Sequence, residues 1–305
     1  MVQILFSTVA LASAYALMSL GFVLVLNATQ AVNFGHGAIV TLGSYISFTL
    51  GSILGSNGLL LLPVVILLSA PIGLVLYLVA YLPLQKQPVV TIFISTISVG
   101  TIIENLTLLI YGPEPKSSPP ILGTSILHVG SQAFSEQSLA VIVTAAVLIA
   151  IQYVLFTHTR IGKRLRAVAQ DPFMAAACGI DVRVMVASTF MIATALAGAA
   201  GAFLGATYYT SPTDGANYTI KAYLAATIGG WGSLPGAVLG AFLVAIFEIL
   251  IPALPALFPA IDRVLPGSDG IFTMTSSTVV LFAVFILVLL FRPQGLLGEA
   301  VGKRA

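Results

Sequence analysis

The chain is poor in charge. Of its 305 residues only 7% are Asp, Glu, Lys or Arg, against 58% hydrophobic residues and a mean hydropathy of +1.08. A soluble domain carries roughly 25% charged residues. So few charges cannot clothe a water-facing surface, so most of the chain faces lipid. Cysteine is nearly absent too. Cys178 stands alone, which excludes an intramolecular disulfide framework and a cysteine-based metal site. The N-terminus has no basic n-region, the first basic residue being Lys86. Residues 4–26 are also too long and evenly apolar for a signal-peptide core, and read as a retained membrane helix. No G-x-x-x-x-G-K-[ST], H-E-x-x-H or G-x-S-x-G occurs. Gly162-Lys163 belongs to no phosphate loop, so any ATP that drives this protein must be hydrolysed by another chain.

What is present is a series of apolar runs of bilayer length. About 20 residues cross the hydrocarbon. Such runs lie near 4–26, 38–56, 60–82, 89–111, 139–157, 185–209 and 273–291. Basic residues set the orientation. Lys86, Arg160, Lys163, Arg164, Arg166, Arg183, Arg292, Lys303 and Arg304 fall on one side, leaving Lys116, Lys221 and Arg263 on the other. The positive-inside bias places the C-terminus in the cytoplasm and, counting back, the N-terminus outside. Parity then makes a demand of residues 219–251, an apolar stretch longer than one span. It must enter and return, turning at Gly229-Gly230-Trp231-Gly232-Ser233-Leu234-Pro235-Gly236, where glycine and proline break a helix. Asn33-Phe34-Gly35-His36-Gly37 is a second break. It reads either as a disrupted helix lining a pathway or as a polar surface loop between two spans. No second His or carboxylate stands at ligand spacing from His36, which argues against a metal site.

The expected fold is therefore an all-α membrane protein. It is a multi-span helical bundle of about 7–8 transmembrane segments with two interrupted or re-entrant segments, near 28–37 and 219–236. The chain forms one transmembrane domain, 1–305, with a cytoplasmic loop at about 158–184. In that loop Asp171 suits an N-cap, Pro172 the first helical position and Gly179 the left-handed residue past the end. A helix of about two turns is expected between them. It is too short to be stable alone, so its apolar residues need a surface to pack on, in a cytosolic partner or in the protein's own helix ends. Glu104 lies inside a span, as a functional residue or as the cap of a buried helix contact. Glu248, close to Pro252, reads as interfacial. Small residues such as those at 197–202 let helices approach closely, and 112–138 reads as an outer loop.

Four blocks resemble a known family. They are V-L-N-A-T-Q-A-V-N-F-G-H-G-A-I-V-T-L-G-S-Y, T-R-I-G-K-R-L-R-A-V-A-Q-D-P-F-M-A-A-A-C-G-I, K-A-Y-L-A-A-T-I-G-G-W-G-S-L-P-G-A-V-L-G-A and F-R-P-Q-G-L-L-G. In order and over nearly the whole chain, they are similar to permease subunits of the branched-chain amino acid ABC importers, the shorter of the two that such systems use. The resemblance implies a heterodimer with a second homologous permease, two ATP-binding subunits and a periplasmic or lipid-anchored substrate-binding protein, in the bacterial inner membrane. It implies no catalytic residue, no nucleic-acid partner and no cofactor on this chain, with ATP and Mg used by the partner subunits. It further implies that the helix from Asp171 to Gly179 docks on an ATPase, with Arg166, Asp171, Pro172, Ala175, Ala176 and Gly179 in coupling. The pathway is expected at Asn33, His36, Gly37, Trp231 and Ser233. Members often carry Glu where Ala38 stands here, and relatives also carry urea, short amides or small carboxylates. The rival class is a self-contained proton- or ion-coupled transporter using Glu104 and His36. A third reading, a scaffold for membrane partners, leaves the two glycine-rich breaks without a purpose.

Overall fold

The computed structural model describes residues 2–123, 125–129, 132–257 and 272–298. Arg263, Lys303 and Arg304 lie outside the described residues. Among the described residues the long elements are helices: α1 (Val2–Thr29), α2 (His36–Leu54), α3 (Gly58–Leu76), α4 (Val89–Tyr111), α5 (Glu136–His158), α8 (Val182–Thr207), α10 (Leu234–Leu257) and α11 (Met274–Phe291). Seven of them are long and apolar enough to cross a membrane, and α11 is a shorter apolar helix. Three shorter helices are α6 (Arg160–Gln170), α7 (Pro172–Ala177) and α9 (Gly215–Gly229). Between α4 and α5 the described residues form one antiparallel hairpin, β1 (Ile126–Val129) with β2 (Gln132–Ser135).

Burial separates the helices. In α1, 94% of the most apolar window is buried inside the protein, against 17% in α4. The N-terminal helix is thus the centre of the bundle, while α4 turns Ile94, Ile102, Leu109 and Ile110 outward, as lipid requires. α8 is the other inner helix. Its run 197–202 is wholly buried, and Gly198 and Gly201 lie directly against Gly43 and Val40 of α2. Small residues make that approach possible, since packing rather than hydrophobicity drives association in lipid.

Contacts fix the directions. Tyr15 meets Lys221 and Asn27 meets Gly232, so α1 and α9 run parallel. Gly37 meets Gly215 while Ser44 meets Thr210, so α2 runs the opposite way. α8 runs with α2, and α3 against α8 through the pairs Ser69–Gly198 and Gly73–Phe190. One end of the bundle therefore gathers the end of α1, the segment 158–182, the turn 230–233 and residues 292–297. The other gathers 112–123 and 208–214, joined by the bridge Lys116–Thr210.

The sequence read 160–170 as polar loop. It is helix α6, capped by the Thr159 hydroxyl, which accepts from Gly162 N at 3.0 Å. Leu165 and Val168 face inward while Arg160, Lys163, Arg164 and Arg166 face out. Four cations within seven residues hid an apolar stripe only one residue wide.

Candidate functional site

Beyond the exposed Gln30, the interruption at 31–35 is a largely buried break, not a surface loop. Asn33 and His36 are 3% and 0% exposed. α1 ends at Thr29, yet the His36 Nε2–H reaches the carbonyl of Met18 at 2.9 Å. Met18 lies about 16 Å back along α1 at 1.5 Å per residue. The chain thus leaves α1 at one end of the bundle and climbs back inside it before α2 begins. Each backbone group freed by the break needs a partner in this dry setting. Asn33 Oδ1 accepts from Gly35 N at 3.1 Å, and Thr96 Oγ1 from Phe34 N at 3.2 Å. Thr219 Oγ1 accepts from Gly37 N at 2.9 Å and faces the carbonyls of Phe34 and Gly215 at 3.1 and 3.0 Å. Gly37 is obligatory: a Cβ there would strike the backbone of Gly215 and Thr219.

These contacts dock the break on α9. That helix has 15 residues, about 22 Å, short of the roughly 30 Å hydrocarbon core. Both its ends are held by other parts of the chain. At the N-terminus, Glu104 Oε1 from α4 lies directly against Gly215, where the helix dipole favours negative charge. At the C-terminus, Leu296 N and Leu297 N donate to the carbonyls of Ile228 and Gly229 at 2.9 and 2.7 Å. The tail F-R-P-Q-G-L-L-G is thus a cap for α9. The chain then turns through 230–233, which Asn27 Nδ2 holds by donating to Gly232 O at 2.8 Å.

The five expected pathway residues fall in two groups. Asn33, His36 and Gly37 stand together at the buried break. Trp231 is 45% exposed at the turn, and Ser233 Oγ accepts from Gly236 N at 3.1 Å, capping α10. A file of edge-on rings spans the gap, His36 to Phe22 to Tyr223 to Trp231, with centroids 6.0 to 6.3 Å apart. Neither of the two described cavities is lined by any of the five.

Two charges that the sequence treated separately stand together. Lys221 was counted as outside and Glu248 as interfacial. Lys221 lies in α9, and its Nζ meets Glu248 Oε1 of α10 at 2.7 Å. The Tyr15 hydroxyl of α1 donates to Glu248 Oε2 and accepts from Lys221, both at 2.9 Å. Apolar periodicity cannot report such a pairing across 27 residues. Two opposite charges on one interrupted apolar stretch were the available signal.

The expected coupling residues are placed as follows. Asp171 Oδ1 accepts from Phe173 N and Met174 N at 2.9 and 3.0 Å, with Pro172 next. The far end of α7 closes with Gly179 at φ +80°, Gly179 N donating to Ala176 O and Ile180 N to Ala175 O. That paired closure needs a left-handed residue, hence glycine. Ala175 is buried, Ala176 exposed, and Arg166 exposed on neighbouring α6. Phe173 and Met174 are 80% and 57% exposed beyond the bundle.

Helices broken within the bundle, a half-buried ion pair and a capped apolar helix outside define a multi-pass membrane transport protein. The chain belongs to the family described as "Branched-chain amino acid transport system / permease component", whose model matches residues 4–290. It is 32% identical to the high-affinity branched-chain amino acid transport permease BraD of Pseudomonas aeruginosa, over 94% of this chain and 92% of that one. It is 31% identical to LivH of Escherichia coli, a permease of the same description, over 97% and 95%. A probable branched-chain amino acid permease of Methanocaldococcus jannaschii is 27% identical over 92% and 88%. No solved structure matches.

Proposed function

We propose that this chain is the permease subunit of an ATP-driven ABC importer that carries branched-chain amino acids into the cytoplasm. It works as a heterodimer with a second permease, two ATPase subunits that use ATP and Mg, and an extracytoplasmic binding protein. The end of the bundle with α6 and α7 faces the cytoplasm of a bacterial inner membrane. The observation that carries this reading is α7 itself. A six-residue helix with both ends closed and Phe173 and Met174 in solvent is built to enter a groove in another protein. Arg166 flanks it. Motion of α7, imposed by ATP-driven closure, passes through α6 to α1 and α8, which α6 touches. Asn33, His36 and Gly37 are the hinge around which α9 shifts, with Trp231 and Ser233 at its inner end.

A self-contained proton-coupled transporter is disfavoured, because Glu104 packs against the start of α9 and His36 is bonded to Met18. The test is Phe173→Asp in the assembled, reconstituted complex. Solute-stimulated ATP hydrolysis is expected to fall about tenfold or more, as for a buried interface anchor, with membrane insertion intact. Normal ATP hydrolysis would overturn the docking role of α7.

A further inference from the structure

The Lys221–Glu248 pair faces a cavity of about 690 Å³ between α1, α9, α10 and α11. Asp214, Asn217, Thr275 and Ser277 add polar groups to its wall, and Leu11, Leu224 and Phe282 are among its apolar lining. Lys221 and Glu248 retain 23% and 17% side-chain exposure, both through this opening. Tyr15 and Glu248 each lie about 21 Å from the end of the bundle where α1 stops and α10 starts, at 1.5 Å per residue. That is within the hydrocarbon depth, where an exposed charge is expensive. The cavity therefore opens on water or protein, not on lipid tails.

We propose that this cavity is the solute site of the subunit, and that Lys221 and Glu248 part to hold the two charges of a zwitterionic amino acid. The inference rests on the importer reading above and deepens it. The carboxylate of the solute takes the Lys221 ammonium, its ammonium takes Glu248, and its side chain lies on Leu11, Leu224 and Phe282. Neither Lys221 nor Glu248 is left unpaired during the exchange, because the pair opens only as each partner is replaced. The Tyr15 hydroxyl touches both charges, donating to Glu248 and accepting from Lys221. A solute with one charge, or none, would leave a lysine or a glutamate bare in a low-dielectric site. The ion pair is thus a filter for molecules that carry both charges on neighbouring atoms. It also ties the filter to α9, the helix both of whose ends are held by hinge-like contacts.

The competing role is a staple joining α1, α9 and α10, and double variants separate the two. Replacing a buried ion pair by apolar residues of similar volume is often neutral for stability. Lys221→Met with Glu248→Leu should therefore assemble, and a mere staple would transport normally. The exchange Lys221→Glu with Glu248→Lys keeps a pair, and Tyr15 can still donate to the carboxylate and accept from the ammonium. Each is measured in the complete complex in proteoliposomes, with leucine as the probe and assembled amounts quantified. Both double variants are expected to lower uptake per assembled complex about tenfold or more, as for a lost charge-assisted contact. Uptake within twofold of wild type in either variant overturns the site. Wild-type import of leucine alongside normal variants would sink this inference alone. A wild-type complex that imports only an uncharged or solely anionic solute would sink the amino-acid reading with it.

Discussion

Two of the helices too short to cross a bilayer, α7 and α9, are stabilised in opposite ways. α7 owes its six residues to its neighbours in sequence. Asp171 closes one end, Gly179 the other, and little else in the chain touches it. α9 owes its 15 residues to distant partners. Its first turn leans on Glu104 and Gly37, its middle on Tyr15 and Glu248, its last carbonyls on Leu296 and Leu297. A helix held locally keeps its shape whatever its body does, and so can be pushed as a rigid piece. A helix held from four sides moves only when those contacts trade. The first arrangement suits a lever, the second a gate.

The contrast breaks first at Gly37. A valine there would drive its side chain into the backbone of Gly215 and Thr219, and backbone cannot step aside as a flexible side chain does. Overpacking costs about 1–3 kcal/mol or more, and here it strikes the seam between the break and α9. Gly37→Val is expected to abolish folded protein, read as loss of the monodisperse peak in detergent chromatography. A normal peak would show that the seam is looser than drawn.

Thr219→Val is the milder version, nearly equal in shape. It removes the acceptor of Gly37 N and the donor to Phe34 or Gly215. Leaving a buried N–H unpaired costs about 1–3 kcal/mol. The variant should fold with a lower thermal midpoint, and Thr219→Ser should recover most of the loss. Equal midpoints for Val and Ser would mean that packing, not the hydroxyl, holds the seam.

These two sites also show what a sequence can and cannot disclose. The ends of α7 were readable because every group that makes them lies within ten residues, from Asp171 to Ile180. The spans were readable because apolar length is a local property, and the turn at 230–233 because parity and glycine agreed. Glu104 as a partner of α9, Thr219 under the break, and the tail over Ile228 were not. Each depends on which helix lies beside which, and apolar composition on nearly every face carries no record of that. The pairing of Lys221 with Glu248 was obscured for another reason. Counting cations by side assigns a lysine to a loop unless its counter-ion is known.

At α7 the expected effects are smaller and stay local. Asp171→Ala leaves two amides of the first turn without their cap, about 1 kcal/mol, in a helix that the bundle does not need. The thermal midpoint of the protein should not move, while solute-stimulated ATP hydrolysis drops. Asp171→Asn, which still caps, should restore it. A shift in the midpoint equal to that of Thr219→Val would erase the distinction between lever and gate.

The smallest change gives the sharpest view of the lever. Cys178 is the only cysteine in the chain and sits exposed at the end of α7, just before Gly179. Its backbone N–H donates to Met174 O at 3.0 Å, a bond that serine keeps. Cys178→Ser should therefore change stability by less than about 0.5 kcal/mol and leave transport unaltered. The wild-type thiol is then a native reporter. With α7 on the cytoplasmic side, a membrane-impermeant maleimide should label inside-out vesicles and spare right-side-out ones. In the assembled complex, ATPase subunits seated over Phe173 and Met174 should slow that labelling several-fold, because Cys178 lies only five residues beyond Phe173. Equal labelling with and without the ATPase subunits would place α7 outside their interface and leave the lever without a hand on it.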